Sequence, residues 1–148
     1  MKKIYYVILL ISASIILTIV ANQFTKEQTE KINILKIWND KTGESHFGIK
    51  EIELNSSGAI GKISSLIPGK GIIFRKTPAD YTFSWHVAPR KQFIVNLDAS
   101  VEITVSDGEK RIINRGEVFF VEDTWGKGHY SKSVNNKERN SLFIPVEE

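Results

Sequence analysis

The sequence contains no cysteine. That removes a disulfide framework, a thiolate metal site, a cysteine nucleophile and a lipidated N-terminal cysteine. It leaves the redox compartment open, because a domain without cysteine is stable anywhere. A strong charge of one sign is also missing. The net charge is +3, from 20 lysines and arginines against 17 aspartates and glutamates. Two of those positive charges, Lys2 and Lys3, fall in an N-terminal segment that reads as a targeting signal. Without them the balance is 18 basic against 17 acidic residues, or +1. No basic stripe with interleaved aromatics survives that subtraction, so nucleic acid is not an expected partner. The part read as folded holds no internal repeat, low-complexity tract or convincing amphipathic helix.

What is present is one domain's worth of chain. The 148 residues are 41% hydrophobic and 25% charged, ordinary values for a folded protein. Met1-Lys2-Lys3 is followed by an apolar run from Ile4 to Val20, interrupted only by Ser12, Ser14 and Thr18. As a helix that run reaches about 26 Å, enough to cross a thin bilayer. It is also a little long for the hydrophobic region of a signal peptide, although Ile19 and Ala21 suit a cleavage site. A cleaved signal and an uncleaved anchor both fit. Lysines ahead of the segment hold the N-terminus in the cytoplasm and send the rest across. The expected organisation is a signal or transmembrane anchor over residues 1–21, a polar tether over 22–31 and one domain over 32–148. The expected location is extracytoplasmic, periplasmic or secreted, or anchored in the inner membrane with the C-terminal domain outside.

Beyond the tether the pattern changes to short β-type runs separated by turn signals. Ten strands are predicted: 33–38, 46–54, 71–75, 81–86, 92–97, 101–105, 110–113, 118–121, 129–134 and 141–146. Val101-Glu102-Ile103-Thr104-Val105 alternates apolar with polar, as a half-buried strand does. Ser106-Asp107-Gly108-Glu109 then reads as a tight hairpin turn. Ile49, Ile52 and Leu54 alternate less strictly, which predicts a bulge or irregular stretch. Ser56 to Pro68 is rich in Gly, Ser and Pro and is predicted to be a loop. Trp38 is assigned to the core. Many short strands at this spacing predict a sandwich or barrel.

Two segments concentrate the unusual residues. One is Phe83-Ser84-Trp85-His86-Val87-Ala88-Pro89-Arg90-Lys91-Gln92-Phe93; the other runs from Gly116 through Glu122-Asp123-Thr124-Trp125-Gly126-Lys127-Gly128-His129. Each carries a histidine, His86 within the first and His129 at the end of the second, and a hairpin separates them. Gly126 and Gly128 leave the backbone free to present His129. Arg75, Arg90 and Lys127 bring positive charge, Arg90 being suited to bidentate contact with a carboxylate or phosphate. Tyr81, Trp85, Gln92 and Glu122 complete the candidate ligand-binding set.

In order and spacing these two segments resemble the paired motifs of the cupin superfamily. The WHxAPRxQF and EDTxGKGH stretches are similar to those of small single-domain bacterial cupins of poorly defined function. The resemblance covers roughly residues 70–146. It implies an all-β jelly-roll barrel with both motifs facing one cavity. In metal-binding members the first motif supplies two histidines and a glutamate, the second a third histidine. Here His86 and His129 stand at two of those positions, Ala88 replaces the second histidine and Gln92 the glutamate. The resemblance therefore offers a divalent transition metal only His86, Gln92 and His129, fewer good ligands than such a metal usually takes. The expected function is capture of a small polar ligand in the barrel, with His86 and His129 as candidate acid and base of an isomerase- or lyase-type enzyme. The alternatives are a non-catalytic ligand-binding module and a structural envelope module with a degenerate metal site. Homodimerisation is a further expectation.

Overall fold

The computed structural model describes residues 29–147. The expected signal or anchor over 1–21, and most of the tether, lie outside the described residues. The chain divides into two units, Met1–Glu30 and Lys31–Glu148, and the architecture below belongs to the second. Its first strand begins at Glu30, inside the stretch expected to be tether. Among the described residues no helix is long and apolar enough to cross a membrane.

The domain is all-β. Eleven strands follow one another: β1 (Glu30–Asn39), β2 (Ser45–Ser56), β3 (Lys62–Ile63), β4 (Ile73–Thr77), β5 (Thr82–His86), β6 (Gln92–Asn96), β7 (Val101–Val105), β8 (Lys110–Ile113), β9 (Val118–Val121), β10 (His129–Ser133) and β11 (Arg139–Pro145). They form a seven-stranded sheet ordered β3-β2-β1-β9-β6-β11-β4 and a four-stranded sheet ordered β5-β10-β7-β8. The β1–β9 pair is parallel, whereas β6, β11 and β4 pair with their neighbours antiparallel. From β4 onward the chain steps repeatedly from one sheet to the other, which is consistent with a jelly roll.

Alternation decides which side chains face inward. In β7, Val101, Ile103 and Val105 are buried while Glu102 and Thr104 between them are only partly covered. In β6, Gln92, Ile94 and Asn96 are buried in the same way. Ile37, Ile94, Phe119 and Val121 from the larger sheet meet Val101, Ile103, Val105 and Ile113 from the smaller one in a single core cluster. Complete burial of one such side chain is worth about 1.5–3 kcal/mol. Trp38 is not in that core. Ile37 beside it points inward, so the two-residue period turns Trp38 outward, where it lies half-buried against His46 and beneath the Lys36 ammonium.

Two polar residues tie the sheets together. Ser45, fully buried, accepts a hydrogen bond from the Ser106 amide and donates to the Gly128 carbonyl. It thereby joins the start of β2, the β7–β8 turn and the loop before β10. Asn96 donates from Nδ2 to the Ile113 carbonyl at 3.1 Å, linking β6 to β8.

β2 runs unbroken from Ser45 to Ser56, and its more buried side changes from that of Ser45 and Phe47 to that of Ile52 and Leu54 past Gly48. A register shift lies in β5 against β10. The predicted loop over 56–68 contains a single 3-10 turn, Gly58–Ile60, and the two-residue strand β3, which pairs with the end of β2.

Candidate functional site

Both sheets open onto a cavity of about 630 Å³. His86, Gln92, His129, Arg75, Tyr81, Ser131 and Arg139 are among the residues that line it. The histidines come from neighbouring strands of the smaller sheet, and they are register partners across the β5–β10 pair. Their ring centroids lie 4.4 Å apart.

A bulge makes this face. His129 stands opposite His86, but Ser131 stands opposite Phe83, so Tyr130 alone opposes both Ser84 and Trp85. In an unbroken strand, residues three apart point to opposite sides. The extra residue puts Phe83 and His86 on the same side, where their rings meet edge to face at 4.4 Å. This is the usual work of a bulge beside a site: it re-aims a side chain. The same bulge turns Trp85 outward, 52% exposed and beside the Tyr130 ring. Trp85, a candidate ligand contact in the sequence, therefore lies outside the cavity.

The loop that delivers His129 is equally constrained. Gly128 has φ +68°, and a Cβ added there would run into the carbonyl of His86. Only glycine allows the β10 backbone to come this close to β5 while adopting that conformation. The Ser45 hydroxyl then fastens the Gly128 carbonyl from the other side.

The hydrogen bonds fix how each imidazole is presented. His129 is buried, and its Nδ1 lies 2.6 Å from Oδ2 of Asp123, which is itself fully buried. A carboxylate can only accept, so Nδ1 of His129 carries the proton and Nε2 is the nitrogen left for a ligand. The second oxygen of Asp123 has no partner among the described residues. His86 Nδ1 lies 2.8 Å from the Ser84 carbonyl, so that nitrogen also donates and Nε2 again is left open. Burial holds the His86 pKa below the ordinary histidine value, reinforced by the nearby His129 and Arg75 and opposed by the Ser84 hydrogen bond and Asp123. At neutral pH His86 is therefore an uncharged base.

The remaining candidates divide by strand parity. Val121 faces inward, so Glu122 faces outward and pairs with Lys36 at 3.1 Å, away from the cavity. Asp123, the next residue, returns to the interior. Lys127 lies on the outer loop, where it pairs with Glu44. Arg75, Tyr81, Arg90 and Gln92 do line the cavity with the two histidines. Tyr81 stacks on Phe83 at 6.2 Å, and its hydroxyl is 3.1 Å from that of Ser131. Arg75 lies over the Tyr81 and Phe143 rings.

Arg139 was not among the sequence candidates. It is only 5% exposed, lines the cavity, and donates to Oδ1 of Asn96 at 3.3 Å. In the sequence it closes the polar run Asn135-Asn136-Lys137-Glu138, which hides it in an apparent turn. Extending the following strand backward by one alternation would have placed Arg139 on the face of Ser141 and Phe143.

The metal expectation is tested by the donor set. Two imidazoles and the Gln92 amide line the cavity, and Ala88 stands where a second imidazole would be needed. Among the described residues no group of three His, Cys, Asp or Glu side chains converges. These residues do not fit a resident divalent transition metal, and no chemistry is derived through one.

No family model matches the sequence, and no curated protein matches it. Among solved structures the chain is similar to protein NMB1881 from Neisseria meningitidis, at 14% identity and a TM-score of 0.38 over 53% of this chain and 76% of that one. It is also similar to a candidate ethanolamine utilization protein Q from Salmonella typhimurium LT2, at 11% identity and a TM-score of 0.40 over 79% of this chain and 97% of that one. Similarity this distant leaves the functional assignment to the chain's own residues.

Proposed function

We propose that this protein is a cupin-type jelly roll that binds a small polar molecule in its cavity and acts on it by histidine acid–base chemistry. One observation carries the reading: a buried carboxylate–imidazole pair, Asp123–His129, placed against a second, uncharged imidazole, His86, at the wall of a cavity. A carboxylate behind a histidine sets its tautomer and orientation. A histidine held neutral beside it is matched to taking a proton near neutral pH. His86 takes a proton from the bound molecule through Nε2, and that same proton is returned to another atom of the molecule, directly or by way of Nε2 of His129, so both rings end as they began. Such a transfer suits an isomerase or lyase. The sequence segment over residues 1–21 supports placing this domain outside the cytoplasm, released or anchored.

The test is a screen of small organic acids and sugars against the full chain by thermal shift, followed by turnover assays on each hit. His86→Gln and His129→Gln are expected to abolish turnover while retaining the fold. Hits that bind but never turn over would support a non-catalytic binding module. Near-stoichiometric Fe, Mn, Ni or Zn in untagged protein purified without chelator, lost in both variants, would overturn the metal-free mechanism.

A further inference from the structure

The charge lining the cavity is one-sided. Arg75, Arg90 and Arg139 line the cavity, and among the described residues no aspartate or glutamate does. Asp123 binds His129 through one oxygen, and Asp98 accepts from the amide and side chain of Asn140. Arg139 is buried, yet its Nε has no hydrogen-bond partner among the described residues. Thr77, its register partner on β4, and Ser141, two residues along β11, carry buried hydroxyls that are likewise unpartnered. Ser141 in turn pairs with Arg75. Two orphaned hydroxyls therefore stand at register positions neighbouring Arg139, whose own Nε is orphaned too, and Arg75 stands opposite Ser141. Burial, and then the charge of Arg75, hold the Arg139 pKa down at about 10 against the opposing pull of Tyr81 and Asp98. Arg75 is steadied by the faces of Tyr81 and Phe143, which hold a cation without cancelling its charge.

Resting on the reading of the cavity as a ligand site, we propose that its ligand is an organic acid with an apolar body, whose carboxylate is held between Arg75 and Arg139. Guanidinium forks match a carboxylate or a phosphate equally well. The rest of the wall favours the carboxylate. Ile73, Phe83, Ile94, Ile103, Phe119 and Phe143 all line the cavity, and among the described residues no glycine does, so the lining is not a glycine-rich phosphate cradle. Asn96, which accepts from Arg139, and Gln92, which lines the cavity, stand four steps apart along β6, about 13 Å of strand. An acid anchored at Arg139 has its apolar body in the cavity that His86 and His129 also line.

Calorimetric titration of the full chain with octanoate, octanol and inorganic phosphate tests this. Octanoate should bind about tenfold or more tightly than octanol, and phosphate should not bind measurably. Arg75→Gln and Arg139→Met should each weaken octanoate by about tenfold and leave octanol unchanged. Arg75 reaches solvent, so its variant reports even if Arg139→Met fails to fold. Octanol binding as tightly as octanoate, or octanoate indifferent to both substitutions, overturns the inference and leaves the cavity reading standing. Phosphate binding with octanoate silent overturns it in favour of a phosphorylated ligand. Silence from all three probes overturns the inference and counts against the cavity reading as well.

Discussion

Asp123 and His129 form the contact on which the proposed chemistry turns, and its energetic weight is measurable. Asp123→Ala strips the buried Nδ1–H of His129 of its acceptor. It should cost about 1–3 kcal/mol in urea unfolding, the penalty of a buried donor left unsatisfied. The histidines also predict an opposed pH dependence. His86 has its pKa depressed on folding, so below about pH 6.5 the unfolded chain binds the proton first and stability falls as pH drops. His46 behaves in the opposite sense. Its hydrogen bond to Asp107 at 2.6 Å, supported by Asp40, raises its pKa, so its contribution is complete below about pH 6.5 and fades as pH rises through the raised value. Urea midpoints at about pH 7.5 and about pH 5.5 should therefore shift in opposite directions for His86→Gln and His46→Asn, the first flattening the loss on acidification and the second deepening it. At this scale the sequence was partly legible. The two histidines stood out because each fell in a dense, aromatic and charged segment. Arg139 did not, since a cation after Asn, Asn, Lys and Glu looks like solvated surface until the strand register is known.

Short β-type runs bounded by turn residues made ten strands readable as elements, with clean two-residue alternation in β7. β3 was not readable. Lys62–Ile63 is too short to show a period and sits among glycines, serines and a proline. The bulge in β5 was equally invisible, because Phe83-Ser84-Trp85-His86 reads as plain alternation, with Phe and Trp on one face and Ser and His on the other. The register of β10 overrides that pattern and puts Phe and His together. The close approach of Gly128 to His86 gives the element-scale prediction. Gly128→Ala adds a Cβ that meets the His86 carbonyl at a positive φ, so it should destabilise by more than about 1 kcal/mol and abolish the cavity's ligand response. A folded Gly128→Ala with intact binding would show that the β5–β10 approach does not position the site.

For the molecule as a whole, Ser45 is the point where three separate chain segments meet, and Ser45→Ala should lower stability by about 1–3 kcal/mol through the orphaned Ser106 amide. The all-β character was legible because strand-forming runs recur with turn residues between them and no helical period competes. The pairing of sheets was not, since nothing local in β1 announces that its partner will be β9, some eighty residues later. The apolar segment before the domain belongs to the proposal that the domain works outside the cytoplasm, where a ligand arrives by diffusion. Fractionation of cells expressing the full chain should place it in the membrane or beyond it, and recovery wholly in the cytoplasm would contradict that placement.

The proposed chemistry depends most directly on the state of the two imidazoles. Long-range proton–nitrogen NMR of the full chain across a pH series reports tautomer and titration together. Both rings are predicted to carry their proton on Nδ1 at neutral pH, His86 is predicted to titrate below about 6.5, and octanoate is predicted to shift the Nε2 signals of both. A proton on Nε2 of either ring, or Nε2 signals indifferent to every bound ligand, would contradict a histidine pair poised at the wall of this cavity.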